Sequence, residues 1–255
     1  MNNSIYYHYT TITGCHGIIT SGKMWFTDYR FLNDNQELKL GLSKLLTSFS
    51  EDERRSFENA FIVHEINTPH YVLSLSQSPE ILSQWRGYAA DGTGVAIGFS
   101  NQIMELAGIS LVECKYTNYE EYLEILTTKY DSLIKSVHQE HTTIANLERF
   151  VIKNSYEFKE LVKDIMSIKN LAFQEEREVR AVYSVNHPKI KTRLSGESIV
   201  PYAEVNLWNE NKKFAIENFI HEIWLGPKCD MRNEIALKLF NIKYIEFKKF
   251  DCGYN

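Results

Sequence analysis

Ile5-Tyr6-Tyr7-His8-Tyr9, followed by Thr10-Thr11-Ile12-Thr13, the segment from Gly14 to Ser21, Gly22 and Lys23-Met24-Trp25-Phe26-Thr27, sets the fold class. The first run is short, aromatic and interrupted by polar residues, and it predicts a strand. The threonines can cap a short helix from Gly14 to Ser21, and Gly22 can stop it. The last five residues predict a second strand. Strand, short helix and strand therefore follow one another within 27 residues.

Working outward, Asp28 to Asn35 is polar and turn-like. Leu38, Leu42, Leu45, Leu46 and Phe49 recur at helical spacing, and helix character is expected to run on from Glu51 to Glu65. Strands are expected at Tyr71 to Leu75, Val95 to Phe99 and Leu111 to Tyr116, with a short helix from Pro79 to Tyr88. Residues 118–170 lack Gly and Pro and show helical periodicity at Tyr122, Ile125, Leu126, Tyr130, Leu133 and Ile134. They predict two or three helices. Strands return at Glu178 to Tyr183, Val200 to Leu207 and Ile220 to Leu225. A helix from Cys229 to Phe240 and a strand from Lys243 to Phe247 close the pattern. Strands flanking a helical block give an α+β class, not a regular βαβ series.

Composition narrows the function classes. The chain has 255 residues, 44% of them hydrophobic, enough for a sizeable core in one domain, 1–255. Aromatic residues make up 13%, led by 15 Tyr and 14 Phe, which suits half-buried pocket walls and ordinary sheet surfaces alike. A net charge of -5 gives no overall basic footprint for avid non-specific nucleic-acid binding. The opening MNNSIYYHYT lacks the pattern of a secretory signal, and no apolar run is long enough to span a bilayer. The expectation is a cytoplasmic protein with no membrane partner. Cys15, Cys114, Cys229 and Cys252 are far apart, with no CxxC and no zinc-like Cys/His cluster, so reduced structural thiols and no metal are expected. No GxGxxG, GxSxG or HExxH sequence occurs, and no complete GxxxxGK[ST], because Met24 follows Lys23.

Chemistry concentrates in Glu176-Arg177-Glu178-Val179-Arg180. On a strand, residues two apart share a face, so Glu176, Glu178 and Arg180 would line one surface. Paired carboxylates raise each other's pKa and an adjacent arginine lowers them, which can hold one carboxylate ionised beside a ligand. An exposed edge strand carrying charges against aggregation accounts for the same spacing equally well. His8 lies among aromatics near a strand end and can hydrogen-bond a sugar hydroxyl, although a lone histidine is more often structural. His16 and His64 read as structural. Trp25, Phe26, Tyr29 and Phe31 offer rings for stacking or for the core. Asn33-Asp34 can bind polar groups or cap the helix that follows. Trp85 and Tyr88 share a helix face, and Gly92 and Gly94 permit a tight turn or close backbone approach.

Several stretches in order resemble a bacterial family of unknown function of about this length. They are Tyr7-His8-Tyr9-Thr10, Gly22-Lys23-Met24-Trp25-Phe26, Phe31-Leu32-Asn33-Asp34, Trp85-Arg86-Gly87-Tyr88-Ala89, Gly94-Val95-Ala96-Ile97-Gly98-Phe99, Glu176 to Arg180, and Leu225-Gly226-Pro227-Lys228-Cys229. That family is similar, more distantly, to ADP-ribosyltransferases of the His-Tyr-Glu type. The resemblance implies an ADP-ribosyltransferase-like split β-sheet core with a helical insertion near 118–170, and NAD as co-substrate. It implies His8 at the adenosine ribose, Thr10 near the nicotinamide, and Trp25 or Tyr29 as the stacking ring, with Tyr88 competing. Tyr9, Asn33 and Arg180 complete the implied NAD-binding set. Glu178 would be the catalytic carboxylate and Glu176 its helper. Relatives occur among toxin–antitoxin and phage-defence proteins, so a toxin or defence effector acting on RNA or protein is implied, with a cognate antitoxin as a further partner. Alternatives are NAD hydrolysis, a non-catalytic binding or sensor module, and a nuclease or deaminase.

Overall fold

A computed structural model describes residues 4–32, 41–117, 119–140, 143–185, 190–206, 216–240, 242 and 244–254. Asn33, Asp34, Glu37 and Leu38 lie outside the described residues. The chain is mixed α+β, built on a large mixed sheet.

The opening unit forms as its residues dictate. Strand β1 spans Ile5–Thr10, helix α1 Ile12–Ser21 and strand β2 Lys23–Asp28. The Thr11 hydroxyl accepts the Gly14 amide as N-cap, and Gly22 ends the helix at φ 62°, a left-handed conformation that costs glycine little. Strand β3 is His70–Ser76, β4 Val95–Ser100, β5 Ser110–Glu113 and β8 Glu178–Ser184. Strands β9 (Lys191–Ser195), β10 (Ser198–Asn206), β11 (Ile220–Leu225) and β12 (Glu246–Lys249) complete the main sheet. Within this sheet, among the described residues, only β11 and β12 pair in parallel.

The sheet forks at β3. Strand β8 pairs with β3 along its whole length, from His70↔Ser184 to Ser76↔Glu178. That occupies one edge. On the other edge β2 pairs at Val72 and Tyr71, while β1 pairs only at Ser76. From there β1 leads to β4, β11 and β12, and β2 leads to β10 and β9. The two arms therefore part between Val72 and Ser76.

Two larger cores lie on opposite faces. On one, α2 (Glu51–Asn67), α5 (Tyr119–Glu140), α6 (Ile144–Lys153) and α7 (Ser155–Ser167) pack on Val72 and Val182. Tyr122, Leu126, Tyr130, Leu133 and Val137 form the buried stripe of α5, whereas Ile125 points to solvent. On the other, Leu73, Leu75, Val179 and Ala181 meet Val95, Ile97 and Phe99. A smaller core seats α3 (Leu82–Tyr88) on β1: buried Trp85 meets Tyr9 edge-on at 4.9 Å and stacks on Phe250 at 5.8 Å.

Several boundaries differ from expectation. The apolar series around Leu45 and the helix after it are two pieces: Phe49 and Ser50 are extended, and Ser50 opens α2 with a capping box to Glu53. Pro79 precedes α3 and spends its carbonyl on the Trp85 indole at 2.9 Å. The stretch from Leu111 to Tyr116 divides between β5 and a two-residue strand, β6 (Lys115–Tyr116), which pairs in parallel with β7 (Ile168–Lys169). The helix near the C-terminus is shorter than expected, at Arg232–Lys238 (α8). Strand β9 and helix α4 (Asn101–Leu106) were not expected. Strand β8 is no edge: β3 and β5 flank it, and Glu178 and Arg180 are buried. Gly94 explains its own presence, because a Cβ there would lie 2.3 Å from the Thr10 carbonyl. Among the described residues no helix is long and apolar enough to cross a membrane.

Candidate functional site

The fork opens into a cleft of about 120 Å³ that is wider at its mouth. It is lined from β1 by Tyr7, His8 and Tyr9, from β3 by Ser74 and Leu75, from α3 by Gln84 and Tyr88, and from the β7–β8 region by Lys169, Glu176, Glu178 and Arg180. This volume compares with a cavity that admits one benzene-sized ring, of order 150 Å³. It suits one ring of a larger ligand.

Alternation on β8 puts Glu178 and Arg180 on one face. Glu176 reaches that face by another route. It ends a 3-10 turn, Leu171–Glu176, which Asn170 caps through the Ala172 amide at 2.9 Å. Arg177 then adopts φ 45°, a left-handed conformation uncommon outside glycine, and turns the chain into β8. The turn is pinned to the end of β3: the Ser76 hydroxyl donates to the Glu176 carbonyl at 2.8 Å, and the Gln77 amide to that of Arg177 at 3.0 Å.

Two cations and two carboxylates meet here. Lys169 Nζ donates to Glu178 Oε2 at 2.7 Å and also to Glu176 Oε2. Arg180 Nε and Nη2 each lie 3.3 Å from the Glu178 oxygens, while Nη1 donates to the Met166 carbonyl at 2.7 Å. That carbonyl belongs to the last turn of α7, where the helix dipole favours a cation. The Glu178 amide donates to the Tyr116 hydroxyl at 2.6 Å, and the Cys114 thiol lies 3.6 Å from Glu178 Oε2. Burial by itself would raise the Glu178 pKa. The charges of Arg180 and Lys169 outweigh it and hold the carboxyl at about 2. Burial opposes the charge on Lys169, but Glu178 and Glu176 push its pKa up. Both partners therefore stay ionised near neutrality.

His8 faces this lattice across the fork. Its Nδ1 lies 3.1 Å from the Ser74 carbonyl, within the segment of β3 left between its two neighbours on that edge. A carbonyl only accepts, so Nδ1 carries the proton. Burial lowers the pKa of the ring, and the neutral ring presents Nε2 to the cleft as an acceptor. The Tyr9 hydroxyl donates to the Ser78 carbonyl at 2.8 Å and accepts the Ile81 amide at 3.3 Å, tying α3 to β1. Tyr88, 51% exposed, stands at the mouth.

The cleft thus brings together His8, Tyr9, Tyr88, Glu176, Glu178 and Arg180. It does not include Thr10, Trp25 or Tyr29. The Thr10 side chain faces the start of α1, where a Cβ on Gly14 would meet its hydroxyl. Tyr29 is buried in the helical core, edge-on to His70 at 6.1 Å. Trp25 lies on the outer arm against Tyr202. Asn33 is outside the described residues. Sequence reasoning missed Lys169, Gln84 and Ser74. Lys169 carries no motif; its one legible sign is that it is a lone cation between apolar Ile168 and the capping residue Asn170. Among the described residues no group of three or more His, Cys, Asp or Glu side chains is placed to hold a metal.

No curated protein and no solved structure matches the chain. A protein-family model does match, over residues 84–181, which take in Gln84, Tyr88, Lys169, Glu176, Glu178 and Arg180 and leave out β1 with His8. The domain found at those residues is described as a protein of unknown function, DUF2971.

Proposed function

We propose that the cleft binds NAD and transfers its ADP-ribose to a macromolecular acceptor, on an ADP-ribosyltransferase-like split sheet. One observation carries the reading: His8 on β1 and Glu178 on β8, distant in sequence, face one cleft at the fork of the sheet. Breaking the bond between nicotinamide and ribose develops positive charge on the ribose. A carboxylate fixed and ionised beforehand stabilises that charge without reorganising. Glu178, held at about 2 by two cations, meets this requirement. The same low pKa makes it a weak base. Removing the proton from the acceptor falls to Glu176, which lies nearer solvent than Glu178. The neutral His8 ring accepts a ribose hydroxyl through Nε2. Tyr88 at the mouth offers a ring for the part of NAD that a one-ring cleft leaves outside.

Glu178→Gln keeps the shape and removes the charge. The expected outcome is a loss of ADP-ribose transfer from labelled NAD of at least about a hundredfold, the range of a preorganised electrostatic group. Full activity in this variant would overturn the assignment. A second reading, a binding or sensor module without turnover, is favoured by the fact that both Glu178 oxygens already have cationic partners. It predicts NAD binding without consumption, which calorimetry together with assay of released nicotinamide distinguishes from transfer.

A further inference from the structure

The outer arm of the sheet, β2–β10–β9, carries an aromatic and basic surface that the cleft does not use. Directly opposed residues share a face, and the pairs Trp25↔Glu204, Thr27↔Tyr202, Tyr202↔Lys191 and Val200↔Arg193 place Lys23, Trp25, Thr27, Tyr202, Lys191 and Arg193 together. Thr27 is also opposite Val72, two residues from the cleft residue Ser74. This surface and the cleft therefore lie on the same face of the sheet, on either side of the fork.

Its geometry is specific. The Trp25 ring, 49% exposed, leans on Tyr202 with centroids 4.8 Å apart and planes tilted by 39°. The Arg193 guanidinium lies 5.9 Å from the Trp25 centroid and 5.5 Å from that of Tyr202. Its Nη2 donates to the Thr27 hydroxyl at 2.8 Å, and Nη1 is buried without a hydrogen-bond partner among the described residues, so the guanidinium braces the two rings. Lys23 at 3.1 Å and Lys191 at 2.8 Å share the single carboxylate of Glu204. Three cations thus stand against one carboxylate in a chain whose net charge is -5.

We propose that this face binds single-stranded nucleic acid. An unpaired base stacks on the open side of Trp25. A phosphate takes the surplus charge of the half-exposed Lys23 and Lys191. A flat ring flanked by cations is the arrangement that holds unpaired bases with little regard to sequence, because every base has a π-face. A shallow sheet surface offers a duplex no groove contact and no exposed base to stack. Where the transfer reading of the cleft holds, this face seats the acceptor strand beside it; the surface itself is inferred from the arm alone.

The test is fluorescence anisotropy of labelled short RNA and DNA strands and the matching duplex, with the full chain and no NAD. Binding of either single strand, RNA or DNA, supports the proposal, and the stronger of the two names the sugar. Binding should weaken roughly tenfold in Trp25→Ala and be largely retained in Trp25→Phe, since one stacked base is lost in the first and the ring is kept in the second. With about two phosphates neutralised, affinity should fall roughly sevenfold between about 50 and 200 mM salt. Lys191→Ala should reduce that slope. Circular dichroism of each variant separates lost contact from lost fold. No binding to either single strand, equal binding to the duplex, or unchanged binding in folded Trp25→Ala would overturn the proposal. Because no NAD is present, failure here leaves the Glu178→Gln experiment untouched, and failure there leaves this one standing.

Discussion

Removing one member of the ion lattice in the cleft leaves its partners buried and uncompensated. Lys169→Met should therefore destabilise the fold by about 3–5 kcal/mol. Urea melts of Lys169→Met, Glu178→Gln and the double variant should show a double change much smaller than the sum, because the second substitution removes the charge stranded by the first. Additive losses would mean that the two side chains do not share an environment. Glu65 behaves oppositely. Burial and the neighbouring charge of Asp28 push its carboxyl up to about 7, and its Oε1 has no partner among the described residues. The folded protein then holds a proton that the unfolded chain releases near 4.5, so the Glu65 carboxyl costs stability as pH rises from about 4.5 to 7. Glu65→Gln should raise the melting temperature at pH 8 and change it little at pH 4.5. At this scale the sequence was informative about residue types and silent about partners. Glu178 and Arg180 could be placed on one face by alternation alone. That the strand is buried, and that Lys169 closes the lattice from the far end of α7, depends on packing between segments with no common pattern.

Strand and helix cores were legible where periodicity and caps agree, as in β1, α1, β2, β4 and α5. Boundaries failed where a local cap overrides a continuing apolar pattern. Leu42, Leu45, Leu46 and Phe49 suggest a helix running on into Glu51, yet Ser50 and Glu53 satisfy each other's amides and start a new one. Ser50→Ala should cost α2 about 1 kcal/mol, read as a shift in the urea midpoint with unchanged slope. Strand β9 gives no alternating pattern, because Lys191–Ser195 is polar apart from the exposed Leu194, as an edge strand beside solvent can be. Of the three aromatics that competed for the cleft, the fork carries Trp25 on β2 away from β1 and Tyr29 is buried in the helical core, whereas Tyr88 lines it.

For the whole molecule, the α+β class followed from a helical block set between strands. The forked sheet did not, because which strands neighbour β3 is decided by pairings about a hundred residues apart, such as Ser74↔Arg180. Acid should destabilise the protein through two sets of buried groups. His64 and His70 lie buried with their Nε2 atoms 3.2 Å apart, and burial lowers their pKa values to about 4 and 3. Below the ordinary value of 6.5 the unfolded chain takes up protons that these folded imidazoles refuse, so stability falls as pH drops from about 6.5 towards 3. Glu178 adds a further loss between about 4.5 and 2, where its folded carboxylate remains ionised and the unfolded one protonates. Glu65 acts in the opposite sense over this range, so the test is made in Glu65→Gln, where a flat stability profile between pH 6.5 and 4 would contradict the burial of the histidine pair.

The fork also sets a schedule for synthesis. His8 is made before β3 and α3, but the charged residues of the cleft, Lys169, Glu176, Glu178 and Arg180, all follow helix α7. Elongation proceeds at about 5–20 residues per second, so the roughly 170 residues separating His8 from Glu178 impose a delay of roughly ten to thirty seconds. A chain stalled or cut short anywhere before Arg180 has β1 without its counterpart. Such fragments are unable to assemble the cleft, and whatever chemistry it performs is withheld until β8 has been made.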